Sequence, residues 1–169
     1  MRNGIFVING DFKCIHCHHI VSANSFLSGV IHRNHCPYCL HSRHLDLHRA
    51  GDRLSACKSP MEPVGLTVKK NSNKYKNDKG GELMLIHCCA ECGSLSINRI
   101  AADDDAEAIL ELFTSTLRLD NQTRAKLEER GVILLQPADE SLVRARLFGW
   151  RTPTISEPAG EATSLNLAY

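Results

Sequence analysis

Three Cys-x-x-Cys pairs could do chemistry in this chain: Cys14 with Cys17, Cys36 with Cys39, and Cys89 with Cys92. Such a turn aims two sulfurs at one point, and two turns supply the four tetrahedral donors that Zn2+ takes up. Cys14-x2-Cys17-x18-Cys36-x2-Cys39 has the spacing of a zinc site. Buried free thiols would leave the repeated pairing unexplained, and a redox pair would need a βαβ setting that the sequence does not offer. Cys57, Cys89 and Cys92 then supply three donors of a second site, so two Zn2+ are expected. The fourth donor has two candidates. Strand alternation puts His87 on the same side as Cys89, which makes it the first choice. His44 is the alternative, with Asp46 two residues on as a carboxylate that could orient the imidazole. Sites filled in sequence order lead, and a cross-braced pairing in which the first and third pairs share a metal stays open.

If water held the fourth position, the second zinc would be an open Lewis acid. A metal-dependent hydrolase or nuclease would follow, with Asp46 or Asp52 as base and Arg53, Arg33 or Arg99 holding an anion such as phosphate. In the competing reading Asp46 and Asp52 tie turns, Arg53 pairs with a carboxylate, and Asp103 caps a helix. No residue spacing matches a known hydrolase motif. Residues 69–80, KKNSNKYKNDKG, hold five lysines, one aspartate and Tyr75, a local charge of +4. Lys69, Lys70, Lys74 and Lys76 could give salt-sensitive attraction to phosphates, and Tyr75 could stack on an unpaired base. A solvated hairpin tip is the plain alternative. The expected function is a zinc-binding module that associates with RNA or the ribosome. A protein-interaction adaptor working through the helical half is a further alternative.

The elements that must position these groups divide the chain unevenly. All eight cysteines lie between Cys14 and Cys92 and all nine histidines between His16 and His87. Residues 1–93 carry 12 Lys/Arg against 7 Asp/Glu, and residues 94–169 carry 8 against 12, so the near-neutral total hides a dipole. Seven thiolates and two Zn2+ would reduce the +5 of the first part to about +2. Residues 4–12 read as a hairpin around Asn9, Gly10 and Asp11, and residues 82–88 as a strand. From Asp103 a helical period places Ala106, Ile109, Leu110, Phe113 and Leu117 on one face. A second helix is expected over 122–130, capped by Asn121 and stopped by Gly131, then a strand over 132–135. A third helix starts near Pro137 and ends at Gly149. The apolar stripes should pack together or onto the zinc core, which is too small to bury much surface alone. The organisation expected is a two-zinc module over 1–100, a helical extension over 101–150 and a loosely ordered tail over 151–169. The fold class is small α+β: a zinc-stabilised, double zinc-ribbon-like module with short β-hairpins and a C-terminal α-helical extension. With 169 residues, 43% apolar and 23% charged, composition fits neither a disordered nor a collagen-like chain. Apolar runs reach only four residues, as over 83–86, against the roughly 20 of a spanning helix. The start MRNGIFVINGDFKC lacks the apolar stretch of a secretory signal, so a cytoplasmic location is expected. There, paired cysteines serve as metal ligands more than as disulfides.

Residues 33–37 spell Arg33-Asn34-His35-Cys36-Pro37, and the chain around them resembles the RNHCP domain family, named for that string. The resemblance extends through Phe12, the Cys14 and Cys17 pair, Tyr38-Cys39-Leu40, Ser42, His44, Asp46, Gly51-Asp52-Arg53, Cys57, Met61 and Pro63. It continues at His87, at Cys89-x2-Cys92-Gly93, at Asn98-Arg99 and at Asp103-Asp104, covering about residues 10–105. It implies a metal-binding domain and no particular activity, and it leaves the helical half unmatched. It also implies a variable residue at Cys88, which favours Cys89 as the ligand.

Overall fold

Residues 10–69, 81–116 and 119–149 are described in the computed structural model of this chain. The first two strands, β1 (Phe12–Lys13) and β2 (Ile20–Val21), pair antiparallel and hold Cys14 and Cys17 in the turn between them. The hairpin expected over 4–12 falls largely outside the described residues, and the hairpin seen is β1 with β2. A single helical turn, α1 (Ser25–Ser28), follows. Asn24 caps it by accepting from the Phe26 N–H.

Four antiparallel strands form the main sheet: β3 (Ser42–Arg43), β4 (Pro60–Lys69), β5 (Glu82–Cys89) and β6 (Leu95–Arg99), in that spatial order. The central position of β5 suits its continuous apolar run over residues 83–86, which is buried together with His87. β4 carries Pro60, Pro63 and Gly65, residues that weaken a strand pattern, yet each sits where a ladder tolerates it. Pro60 is the first strand residue, and the register shifts between Pro63 and Gly65. A Cβ on Gly65 would lie 2.5 Å from Leu134 Cδ1, so the missing side chain lets residues 132–135 close on the strand. Those residues were expected as a strand and do not form one. Their tie to β4 is the Leu135 N–H donating to the Leu66 carbonyl at 2.9 Å, while Ile133 remains 72% exposed.

Three helices follow among the described residues: α2 (Ala106–Ser115), α3 (Asn121–Glu129) and α4 (Glu140–Phe148), the last entered through a 3-10 turn at Pro137–Asp139. The cap of α2 is Asp105 rather than Asp103, accepting from the Glu107 and Ala108 N–H groups. The cap of α3 is Asp120, one residue before the expected Asn121. Gly131 stops α3 as expected, with φ +65 and its N–H on the Glu128 carbonyl. None of the helices among the described residues is long and apolar enough to cross a membrane.

One apolar cluster joins Leu40, Leu66, Leu83 and Leu85 to Ile109, Leu112, Phe113, Leu135 and Val143. The helical stripe is therefore spent on the sheet. Ile109 is 1% exposed within this cluster. Ile109→Ala should cost about 2–5 kcal/mol of unfolding free energy in a denaturant titration of the zinc-loaded protein, with both metals retained in the folded state.

Candidate metal centres

The three Cys-x-x-Cys pairs fold into the same turn. In each, the first cysteine's N–H donates to the carbonyl five residues on, at His19, His41 and Ser94, with N···O distances of 2.8, 2.9 and 2.8 Å. The residue after the second cysteine returns its N–H to the first cysteine's carbonyl: His18 to Cys14, Leu40 to Cys36, Gly93 to Cys89. That residue is left-handed every time, with φ of 64, 60 and 67. Only at Gly93 does its identity announce the conformation. His18 and Leu40 hold it at a conformational cost that the turn must offset.

Two of these turns face each other to make the first site. Cys14, Cys17, Cys36 and Cys39 bring their sulfurs within 4.8 Å of one another, with Cys14 to Cys39 at 3.6 Å and Cys17 to Cys36 at 3.5 Å. A disulfide would need about 2.05 Å. Tetrahedral zinc with 2.3 Å bonds spaces its sulfurs at about 3.8 Å. The second site takes one such turn, Cys89 and Cys92, and completes it from the β3–β4 pair. Pairing continues past β3, with the His44 N–H on the Ser59 carbonyl and the Lys58 N–H on the His44 carbonyl. That pairing sets His44 beside Cys57. Cys57 Sγ lies 3.7 Å from Cys89 Sγ, and His44 Nδ1 3.3 Å from Cys92 Sγ. The two donor sets fit two zinc ions, filled in sequence order.

His44, the alternative, supplies the fourth donor, and His87 does not. His87 is wholly buried, its Nε2 donating to the Leu40 carbonyl at 2.7 Å and its Nδ1 accepting from Asn98 Nδ2 at 2.8 Å. Burial first, then the nearby His35, lowers its pKa to about 3, so the ring stays neutral and both nitrogens are committed. Cys88 lies outside both sets, and its thiol points to the Cys89 carbonyl. His16 and His41 stack at 3.6 Å beside the first site, where they form a further donor group only by sharing Cys39.

The chemistry of the donors calls for a cation. Burial pushes the Cys36 thiol up to about 11 and Cys39 higher still, and the neighbouring sulfurs of the set add to both. Burial raises Cys89 as well. Cys17 is held at about 6, burial opposing, by hydrogen bonds from the backbone and ring of His19. Ser94, through its side chain and backbone, holds Cys92 at about 6. Thiols in contact thus resist ionising together, and a divalent metal removes that resistance by binding the thiolates.

The remaining candidates serve the scaffold. Asp46, expected to orient His44, instead accepts from the Gly51 and Arg53 N–H groups. Asp52 accepts from the N–H groups of Leu47, His48, Arg49 and Leu54, which hold its carboxyl well below the usual carboxylate range, a poor setting for a base. Arg53 lies 3.8 Å from Asp46. With four protein donors at the second site, the three-ligand geometry that the hydrolase reading requires is not what these residues build. Lys69 ends β4 opposite Glu82, while Lys70, Lys74, Tyr75 and Lys76 lie outside the described residues.

Arg33 is likewise unavailable to a ligand. Its side chain is fully buried, with Nη1 on both Asp103 oxygens at 2.8 and 2.7 Å and Nη2 on Asp104 Oδ1 at 2.9 Å. His35 Nε2 meets Asp104 Oδ2 at 2.8 Å, and that oxygen also accepts from the Ala101 N–H. The acidic run 103–105 and the basic string 33–35, seventy residues apart, gave only their complementary charge as a sequence signal.

His44→Ala should reduce tightly bound zinc from two per chain to about one by elemental analysis, whereas His87→Ala should keep two. Asp104→Ala leaves Arg33 buried beside a lost partner and should cost about 3–5 kcal/mol in chemical unfolding. Asp103→Ala should cost less, because Asp103 is 38% exposed.

No curated protein and no solved structure matches this chain. The family model of the RNHCP domain matches residues 9–110, more than half of the sequence and a span that holds both donor sets, so the chain belongs to the RNHCP domain family.

Proposed function

We propose that this two-zinc module binds RNA, alone or on the ribosome, through the lysine-rich segment 69–80. The observation that carries the reading is the composition of that segment: five lysines and one aspartate around Tyr75. It joins the paired ends of β4 and β5, where Lys69 stands opposite Glu82. Lysines neutralise backbone phosphates whatever the sequence, and an aromatic ring among them offers a stacking surface for an unpaired base. The metal sites stabilise the scaffold that presents the segment. A protein adaptor acting through the apolar stripe of α2 is the weaker reading, because Ile109, Leu112 and Phe113 are buried against the sheet.

Replacing Lys69, Lys70, Lys74 and Lys76 together with glutamine should weaken binding to single-stranded RNA and flatten its salt dependence by up to about 2.8 log units per log unit of salt. Two zinc ions should remain bound. Sedimentation of the tagged protein from lysate, with and without RNase at two salt concentrations, would give the cellular counterpart. Unchanged affinity and an unchanged slope in the fourfold variant would remove the basis for this function.

A further inference from the structure

Beside the second metal centre, a polar cleft of about 290 Å3 runs along the outer strand β6. Residues 94–98 line it without a gap. Successive side chains of a strand stand on opposite faces, so a cleft that touches all five reaches the backbone edge itself. That edge is open: β6 pairs with β5 on one side, and no other strand of the described residues adjoins it. The Cys89 N–H donates to the Ser94 carbonyl at 2.8 Å, and the register sets residue 96 opposite 87 and residue 98 opposite 85. The alternation of an antiparallel ladder then turns the N–H and C=O groups of Ser94, Ser96 and Asn98 towards β5, and those of Leu95, Ile97 and Arg99 away from it. The Leu95 carbonyl agrees, because it accepts from Arg130 Nη1 at 3.1 Å, a side chain outside the sheet. Among the described residues no backbone group pairs with this outward row. Such a row is a template for an added strand.

The charges around the edge select which strand. Arg43, Arg49 and Arg130 line the cleft, and all three are exposed. Arg43 Nε donates to the Lys58 carbonyl at 3.1 Å, and Arg49 has no side-chain partner among the described residues. The single carboxylate of the lining, Asp46, is already taken up by the N–H groups of Gly51 and Arg53. The guanidinium groups thus keep donors to spare, and they bind carboxylates through paired N–H bonds. Ile97, 39% exposed, adds an apolar contact in the middle of the edge. A second copy of β6 would bring these arginines against their own counterparts, a like-charge meeting that disfavours it. A phosphodiester group would take the arginines, yet it offers no donor to the Ile97 and Arg99 carbonyls. A peptide backbone offers donor and acceptor at the spacing of the row.

We infer that β6 is a docking edge for an extended acidic segment of a partner protein, which adds to the sheet as a fifth strand and sets its carboxylates among Arg43, Arg49 and Arg130. From Leu95 to Arg99 the edge rises about 14 Å, enough for a segment of about five residues. The surface is separate from the lysine-rich segment and does not depend on RNA binding.

The test uses the full zinc-loaded chain, the double variant Arg49→Gln/Arg130→Gln and the fourfold lysine variant. The probe is a labelled hexapeptide of alternating glutamate and valine. Its fully N-methylated form keeps the carboxylates and loses every peptide N–H, and a hexapeptide of lysine and valine reverses the charge. Both replaced arginines are exposed, so the fold and the two zinc ions should survive. The acidic peptide should slow hydrogen exchange at the Leu95, Ile97 and Arg99 amides and leave Ser96 and Asn98, already turned to β5, unchanged. The double variant, short of two exposed charge pairs, should bind it about tenfold more weakly. The fourfold lysine variant should keep the exchange pattern of the parent, and the N-methylated and basic peptides should not bind. Equal binding of the N-methylated peptide would show attraction by charge alone and overturn strand addition, as would an acidic peptide that fails to bind or leaves the outward amides unprotected. If a ten-nucleotide adenine RNA moves the cleft amides where the acidic peptide does not, the cleft belongs to a nucleic acid and the peptide edge is overturned. Protection of the same amides by raised protein concentration alone would give the edge to a second copy, with the same consequence.

Discussion

The tetrahedral demand of two zinc ions is the constraint on which the amino-terminal part depends. Strands β1, β2 and β3 are two residues each, too short to hold by their own hydrogen bonds. The apolar cluster at the first site consists of Cys14, Val21 and Cys36 with Phe12, Cys17 and Cys39 around it, so the ligands themselves are most of the core. Left-handed His18 and Leu40 add conformational cost, and the crowded thiols resist ionising. A metal that binds only the assembled donors offsets all three, because its binding free energy enters the folding free energy directly. The sequence therefore spends its sidedness on ligand placement where a larger domain would spend it on apolar packing.

That local order is tied to the helical half by charge. Arg33 and His35 flank Asn34 in the segment that enters the second cysteine turn, and both reach the carboxylates just ahead of α2. The Asp105 N–H donates to the Pro37 carbonyl and the Ala102 N–H to the Ser28 carbonyl, so the backbone follows the same route. Ion pairs buried this deeply gain little over apolar contact in net stability, since desolvation cancels much of the attraction. What they do supply is register: an arginine fork and an imidazole accept one arrangement of two adjacent carboxylates and penalise the others. The string Arg33-Asn34-His35-Cys36-Pro37 is thus a joint between metal centre and helix. The imidazole of His87 plays a related part inside the sheet, bridging the Leu40 carbonyl at the first site to Asn98 on β6.

Local signals carried the sequence reading far and failed where contact is long-range. The cysteine pairs revealed both metal sites, because a turn of four residues fixes two ligands without help from the rest of the chain. The helices over 106–115 and 121–129 were legible from period, cap and stop, apart from caps displaced by one or two residues. The choice of His87 over His44 followed from ideal alternation along β5, which gives a direction and says nothing of the partner. His44 reaches Cys57 because the β3–β4 pairing extends to Ser59, and no local pattern encodes that register. β4 was hidden by Pro60, Pro63 and Gly65, whose tolerance depends on their placement at a strand start and a register shift. Residues 132–135 have strand composition, yet the bulge at Gly65 offers them a single backbone bond and leaves Ile133 in solvent.

Polar residues that a zinc ribbon does not obviously require divide into those the scaffold consumes and those it leaves. Asp46 and Asp52 fold the loop after β3 by accepting six backbone N–H bonds between them. Ser42 anchors the Asn34 carbonyl, and Asn98 fixes the tautomer of His87. Each has a defined partner, and at Ser42 and Asn98 its loss would leave a buried group unpaired, which is sufficient physical reason for its presence. The Asn34 side chain differs: its backbone carbonyl accepts from Ser42, while its own Oδ1 is buried without a hydrogen-bond partner. An apolar residue of similar size would fill that position without the desolvation cost.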